Sequence, residues 1–471
     1  MVSMNDYSTH GNGFGIANGL EVAELNKALS TGDYAQATGY ANQINGSALQ
    51  VESLENSLKV LTYSDEHVKL WKRISKLPAY STVEEYNQLL EYGSESNSGF
   101  VAEGVLPAEE DSQYKREASF VKFLGTTRRV THPMTLVNSP HGDVIARENQ
   151  NGILWIMKRI ENALFWGNSK LAPLGKEGTQ FDGLDQLIHK ENVIDLKGNS
   201  LKDTDINDGA QVVLGNYGTP TDLYLPYEVL SDFSKEYFPK ERVIMPTQSG
   251  GYQAGVVVNK FQSHAGEINL NPDIFLSKTA KLPMTSRVGE KAPTPPSNVV
   301  VSIDDTVVGD FAKSGVGTFT YYVTAVNNNG ESTPCTVVAT VALIASDSES
   351  SVKLTITNSP SMVNPPDYFK VYRTEADGTD AYHIMDVPAS SVDAGGVTEA
   401  NDVNYRMPNT YTAFSGEFTP EVFAFKQLAP LMKMDLAVTG PSFAWMILLY
   451  GVPQLYAPKK WMKFINIKAS K

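Results

Sequence analysis

The clearest hydrophobic pattern in the chain lies between Ser139 and Gly167. Apolar side chains recur there at the three- and four-residue spacing of one helix face: Ile153, Ile156, Met157, Ile160, Ala163 and Leu164. Ser139 suits an N-cap, Pro140 the first turn, and Gly167 the position after the last turn. The spacing predicts a helix over 139–167, about 40 Å long at ~1.5 Å per residue, with Arg159 and Glu161 on its polar side.

A different pattern, strict alternation, follows the proline-rich stretch Lys291–Pro296. Four apolar residues alternate with polar ones: Phe319, Tyr321, Val323 and Ala325. Further strand-like runs come at regular spacing, at 336–344, 351–357 and 368–374. Strands and turns at this spacing are typical of an immunoglobulin-like or fibronectin-type sandwich. We place this all-β sandwich at 293–411, inserted into an α/β lobe.

The α/β lobe is predicted from mixed signals on both sides of the sandwich. Before it, the pattern favours a helix at 206–215, a strand at 222–225, a helix at 226–237 and a strand at 254–258. After it, 420–434 has a helix-type mixture of residues. The apolar run 443–450 predicts a buried strand, and 461–467 predicts a final strand.

Residues 92–123 contain turn-forming sequence without a core. An extended piece from Phe100 to Pro107 is followed by an acidic cluster at 109–111 and basic residues at 115, 116 and 122. We predict a two-stranded excursion that buries little of itself. Segments of this kind are usually functional or disordered, and a solvated hairpin is the simpler alternative.

Composition narrows the class of protein. The chain has 471 residues, 41% of them hydrophobic, which is ordinary for a globular protein with real cores. Its net charge of −14 argues against sequence-independent nucleic-acid binding. The single cysteine, Cys335, excludes intramolecular disulfides. The longest apolar run, 443–452, is too short to span a bilayer.

Catalytic and metal-binding motifs are not found in the sequence. The seven histidines lack metal-type spacing. Asp203–Gly209 resembles a calcium loop, but Leu214 stands where a bidentate glutamate is needed. No G-x-S-x-G elbow is present. We therefore predict a protein that is not an enzyme, with no catalytic residues, metal or cofactor.

The order of these pieces and several short motifs resemble one family. Gln180–Leu184, Gly218–Pro226, Tyr450-Gly451 and Ala457–Trp461 are similar to stretches in capsid proteins of large contractile-tailed phages of Gram-positive bacteria. The chain is identified as resembling the major capsid protein of tailed phages, which has the Hong Kong 97-type fold. In the related proteins an immunoglobulin-like domain is also inserted. The resemblance implies an α+β class.

The resemblance also implies a division of the chain. The expected parts are an N-terminal arm (1–32), an N-terminal helical region (33–91), the E-loop (92–123), the P-domain with its spine helix (124–203, helix 139–167), the first part of the A-domain (204–292), the inserted sandwich (293–411), the second part of the A-domain (412–450) and the C-terminal strands of the P-domain (451–471).

Function and partners follow from the same resemblance. The expected function is self-assembly, as hexamers and pentamers, into an icosahedral virion shell around double-stranded DNA, inside the bacterial host cytoplasm. Expected partners are other copies, a scaffold, a portal, a maturation protease and decoration proteins, with no membrane. E-loop residues expected to contact a neighbour are Phe100, Glu103, Glu109, Glu110, Asp111, Lys115 and Arg116. A cleavage site is expected at Glu24-Leu25. The alternative is an adhesin that uses the sandwich to bind a ligand.

Overall fold

The structure is a computed structural model that describes residues 62–93, 98–107, 109–137, 142–172, 180–237, 244–246, 252–254, 258–276, 280–287, 292–438 and 440–469. The described residues within Thr62–Met134 and Ile145–Lys471 belong to one compact unit. The expected N-terminal arm and the expected cleavage site at Glu24-Leu25 lie outside the described residues.

Among the described residues the α-helices are α1 (Leu70–Arg73), α2 (His132–Leu136), α3 (Val144–Trp166), α4 (Leu184–Leu187), α5 (Asp203–Gly215) and α6 (Tyr227–Tyr237). None of these described helices has the length and apolar character needed to cross a membrane. Up to residue 272 the strands are β1 (Ser75–Pro78), β2 (Val83–Glu91), β3 (Gln113–Phe120), β4 (Lys122–Thr131), β5 (Val193–Asp195), β6 (Asp222–Leu225), β7 (Ile244–Pro246), β8 (Tyr252–Ala254), β9 (Lys260–Ser263) and β10 (Gly266–Pro272).

The remaining strands are β11 (Asn298–Val308), β12 (Gly317–Asn327), β13 (Gly330–Glu331), β14 (Ala339–Leu343), β15 (Ser350–Thr357), β16 (Tyr368–Thr374), β17 (Ala381–Pro388), β18 (Val397–Asp402), β19 (Tyr411–Gly416), β20 (Phe423–Asp435), β21 (Ser442–Leu455) and β22 (Trp461–Ile467). Helices and sheets are thus mixed along the chain, which confirms the expected α+β class.

Helix α3 is the longest helix among the described residues. The start expected at Ser139 lies outside those residues, and the helix ends at Trp166, one residue before Gly167. Of the five side chains expected to form its core, the structure buries Ile156, Ile160 and Leu164 and half-buries Ile153 and Met157.

The expectation that Glu161 lies on the polar side of this helix is wrong. Its side chain is fully buried and accepts hydrogen bonds from the backbone N–H groups of Lys69, Leu70 and Trp71, at 2.9, 2.7 and 2.7 Å. These residues begin α1, whose first N–H groups have no partner within the helix. Because these donors lie about 90 positions earlier in the chain, the local pattern around Glu161 could not reveal them.

A four-stranded sheet in the order β1-β20-β21-β4 packs against α3. Strand β21 is antiparallel to both of its neighbours, and β1 is parallel to β20. Along β21, Trp445, Ile447 and Leu449 are buried, and the residues between them are half-buried. Gly152 of α3 permits the close approach, because a Cβ added there would lie 2.5 Å from Ile447 Cδ1.

A six-stranded sheet in the order β5-β22-β19-β6-β10-β9 is the second large sheet of the body. Its central strand β6 is buried throughout, and so is β22. Helices α5 and α6 contribute apolar side chains to the same core as these strands, among them Ile206, Val213, Val229, Phe233, Leu223 and Phe464. The apolar runs of the two strands fit a sheet with a buried centre.

The helical character expected at 420–434 is wrong. Residues 420–434, expected to be helical, contain β20. Strands β20 and β21, mostly within 412–450, pair with β1 and β4 in the four-stranded sheet. Strand β22 lies between β5 and β19 in the six-stranded sheet. Pairing partners decide which sheet a strand joins, and those partners are distant in sequence.

The helical region expected over 33–91 also needs correction where the structure describes it. From residue 62 onward α1 is its only α-helix, and β1 and β2 occupy 75–78 and 83–91. Strand β1 pairs with β20, and β2 pairs with β3. Tertiary pairing therefore overrides the helix-forming residues of this segment.

Residues 298–402 form two further sheets, here called the two-sheet unit. One has the order β11-β15-β18 and the other β13-β12-β16-β17, with β14 also paired to β12. Side chains of both sheets share one core, including Phe319, Tyr321, Val323, Leu354, Ile356 and Phe369. The last strand ends at Asp402, and Tyr411 already begins β19 of the body. The unit is therefore narrower than 293–411.

Charged contacts join the two-sheet unit to the body. Lys313 Nζ lies 2.7 Å from Asp195 Oδ2, and the lysine side chain is 3% exposed. In the segment that leaves the unit, Arg406 Nη2 lies 2.8 Å from Asp185 Oδ1, and Lys463 Nζ lies 3.3 Å from the same oxygen. Removing one partner of such a buried pair is costly, so the pairs of Lys313 and Arg406 contribute to the attachment of the unit to the body.

Candidate subunit-interaction surface

The described residues of the hairpin formed by β2 and β3 contribute no buried side chain to a core. Its strands pair from Val83 opposite Phe120 to Leu89 opposite Tyr114. None of the described residues between 83 and 120 is buried. At its end Phe100 is 92% exposed and Leu106 85%. A two-stranded ribbon has little stability alone, so this hairpin needs a surface to cover it.

The base of the hairpin is attached to the end of β21. Gln88 Nε2 donates a hydrogen bond to the Tyr456 carbonyl oxygen at 2.6 Å. The Tyr86 ring meets the Tyr456 ring edge-on, with centroids 4.9 Å apart. Val121, directly after the hairpin, is buried. The base is therefore held while the far end projects.

All seven residues expected to contact a neighbour lie on this hairpin and are exposed: Phe100, Glu103, Glu109, Glu110, Asp111, Lys115 and Arg116. The two basic residues form ion pairs within the hairpin. Lys115 Nζ lies 2.5 Å from Glu117, and Arg116 Nη1 lies 3.3 Å from Glu85. Such exposed pairs contribute ~0–1 kcal/mol. The Lys115 pair lies within β3, whereas the Arg116 pair joins β3 to β2.

Sequence reasoning missed the first strand of the hairpin, since it began the excursion at residue 92. Val83, Tyr86 and Leu89 favour a strand, but Glu, Asn and Gln residues between them are as common on exposed helices. The contacts of Tyr86 with Leu455 and of Gln88 with Tyr456 span more than 360 positions. Only the folded structure brings these residues together.

The described residues offer little for catalysis. No group of three His, Cys, Asp or Glu side chains among them could hold a metal ion. A cleft of about 440 Å³ separates α3 from the two-sheet unit and is lined by Arg159, Trp166, Phe181, Lys370, Asp386 and Phe425. Cys335 is buried, and burial raises the pKa of its thiol, which disfavours the reactive thiolate.

Known proteins are similar in sequence to this chain over nearly its whole length. The model of the SU10 major capsid protein family matches residues 35–296. The major capsid protein of Staphylococcus phage K is 31% identical over 439 residues, which cover 92% of this chain and 93% of the relative. A relative from Enterococcus phage phiEF24C is 32% identical over the same shares of the two chains.

Solved structures of phage capsids are also similar. One from Microbacterium phage Oxtober96 has a TM-score of 0.44 and 7% identity, covering 90% of this chain and 98% of its own. The capsid of Myoviridae phage XM1 has a TM-score of 0.42 and 6% identity, covering 91% and 99%. At these TM-scores the assignment rests on the sequence matches. The chain belongs to the SU10 major capsid protein family: it is a phage major capsid protein, and it forms a shell with further copies of itself.

Proposed function

We propose that this subunit assembles as hexamers and pentamers of an icosahedral shell, and that the β2–β3 hairpin is the E-loop that lies across a neighbouring copy. The observation that carries the proposal is the exposure of Phe100 and Leu106 at the end of a hairpin whose described residues are all exposed or half-buried. Burying one such side chain contributes about 1.5–3 kcal/mol. A closed symmetric assembly repeats this contact many times.

Replacing both Phe100 and Leu106 by serine tests the hairpin. We expect a folded subunit that no longer forms particles, because these side chains contribute nothing to the core of the isolated chain. Sedimentation and electron microscopy of the expressed protein, together with any scaffold it needs, measure assembly. The matched control is Val363→Ser, which removes an apolar side chain that is 82% exposed on the two-sheet unit. Particles of normal yield from the double variant would contradict the role of the hairpin.

We also propose that the two-sheet unit is an inserted immunoglobulin-like domain that decorates the shell. Its strands pair among themselves and add none to the four-stranded and six-stranded sheets of the body. Its core is separate from the core shared by α5, α6 and the six-stranded sheet. A module built in this way can be added to a body without altering the pairing within that body.

Deletion of residues 298–402 tests this second part. Since the deletion also removes Lys313, it is combined with Asp195→Asn so that no carboxylate is left without its cation. We expect particles of normal size that lack an outer projection in electron micrographs. The control is Asp195→Asn in the full chain. A truncated chain that folds but forms no particles would indicate that the unit bridges neighbouring subunits.

The remaining expectations belong to the same proposal. The subunit has no catalytic function, and assembly takes place in the host cytoplasm with a scaffold, a portal, a maturation protease and decoration proteins as partners. The net charge of −14 suits a wall that encloses double-stranded DNA without binding its phosphates tightly.

A further inference from the structure

Two buried carboxyl groups from different parts of the body lie next to each other. Glu161 is on α3, and Asp273 directly follows β10; both side chains are fully buried. Glu161 accepts the three N–H groups of residues 69–71 described above. Asp273 Oδ1 accepts the N–H of Phe275 at 2.8 Å, and the Asp273 N–H donates to the Leu225 carbonyl at 2.9 Å. This carboxyl pair therefore joins α3, α1 and the segment after β10.

The surroundings of the second carboxyl oxygen of Asp273 make this pair unusual. Asp273 Oδ2 is buried, and among the described residues it has no hydrogen-bond donor. The side chain of Asp273 has the Glu161 carboxyl group as its neighbour, at hydrogen-bonding range. Two carboxylate oxygens are both acceptors, so only a proton between them makes a bond. Burial, and next the neighbouring Asp273, raise the pKa of Glu161 to about 8, and burial raises that of Asp273.

Other titratable groups lie on the elements packed around the pair: His67 and Lys69 act on Asp273, and Tyr224 lies near both carboxyl groups with Arg73 and Asp222 beside it. Arg73 lies 2.7 Å from Asp222, so its positive charge is paired with that carboxylate. Lys69 lies over the Tyr227 ring, 5.2 Å from its centroid. Within the described part of the chain neither carboxyl group of the pair has a cation within 4 Å. Binding of one proton therefore removes the repulsion between the two carboxylates.

We propose that the Glu161–Asp273 pair holds one shared proton and acts as a proton-dependent lock between α3, the start of α1 and the segment after β10. When the proton leaves to water, two adjacent carboxylates remain in a buried site. Their repulsion separates the segment after β10 from α3 and loosens the contact at residues 69–71.

The direction of the pH effect follows from linkage. A carboxyl group whose pKa is higher in the folded than in the unfolded chain binds more protons when folded. Its contribution to stability is complete below the unfolded value of 4.5, decreases as the pH rises, and is lost through about pH 8. The lock is therefore closed in mildly acidic solution and open in alkaline solution.

Amide hydrogen exchange of the full-length chain tests the lock. The protection of the Leu70 and Trp71 amides is measured relative to the buried strand β22, which corrects for the pH dependence of exchange itself. We expect this ratio to fall about tenfold from below to one pH unit above the transition. In Asp273→Asn the ratio should stay constant, because the asparagine amide can donate to Glu161 without a proton from solvent.

Infrared spectroscopy gives a second readout that needs no mutation for its first result. The wild-type chain should show the carbonyl stretch of a buried neutral carboxyl group that disappears between pH 6 and pH 9. Glu161→Gln and Asp273→Asn should each lack this band. If the wild-type band is absent and the exchange ratio is constant, the lock does not exist. A fall in the ratio that persists unchanged in Asp273→Asn would likewise overturn the proposal.

Discussion

Replacing Ile156 by aspartate is expected to abolish the folded subunit and, with it, particle assembly. Ile156 is 1% exposed in the buried stripe of α3, which packs on the four-stranded sheet. The change removes about 2 kcal/mol of apolar burial. It also places a charge in a site where a cation partner is not provided, at a cost of several kcal/mol. Together these effects approach the whole stability of a domain, about 5–15 kcal/mol.

The measurement is the yield of soluble subunit and of particles, followed by circular dichroism of any soluble fraction. Asn151→Asp is the matched control, because it introduces the same residue at an exposed position of the same helix. Ile156→Val tests volume alone and should cost about 1 kcal/mol. Particles of normal yield and heat resistance from Ile156→Asp would mean that this face of α3 is not part of the core.

The second large effect is expected from Asp402→Ala in the two-sheet unit. Arg373 is fully buried, and its Nη1 lies 2.5 Å from Asp402 Oδ2. The guanidinium also lies over the rings of Phe311 and Phe319, at 4.9 and 5.4 Å from their centroids. Asp402 accepts a further hydrogen bond from the Tyr321 hydroxyl at 3.0 Å. Without Asp402 the arginine keeps a buried charge, which costs about 3–5 kcal/mol.

Limited proteolysis and amide exchange of the full chain measure the result, and cleavage within 298–402 should increase sharply. Glu399→Ala is the matched control on the same strand. Its ion pair with Lys353 is 2.8 Å long but exposed, so its loss should cost at most ~1 kcal/mol. The double change Arg373→Met with Asp402→Leu should recover most of the resistance, because both charges are gone. Equal effects of the two single variants would contradict this account.

Local patterns predicted those elements whose evidence lies within a few turns of chain. The helical spacing from Ile153 to Leu164 lies within α3, and the alternation from Phe319 to Ala325 lies within β12. The strand expected at 222–225 has the bounds of β6. In each case the side chains that face the core repeat at the period of the element itself.

The same reasoning failed where pairing decided the structure. Residues 423–435 are a strand because β1 and β21 lie on either side of them, not because of their composition. The residues of the β2–β3 hairpin illustrate the intermediate case. Their exposed, coreless character was predictable from turn sequence at 92–99, but the strand that begins at Val83 required knowledge of its partner at Phe120.

By itself the sequence determined the family, the α+β class and the positions of its strongly periodic helices and strands, because these depend on neighbouring residues. The tertiary structure alone decided which sheet β20, β21 and β22 join, how Lys313 and Arg406 hold the two-sheet unit, and that Glu161 is buried beside Asp273. The physical reason is distance along the chain. Partners separated by about 90 to more than 360 positions meet only when the whole body has folded.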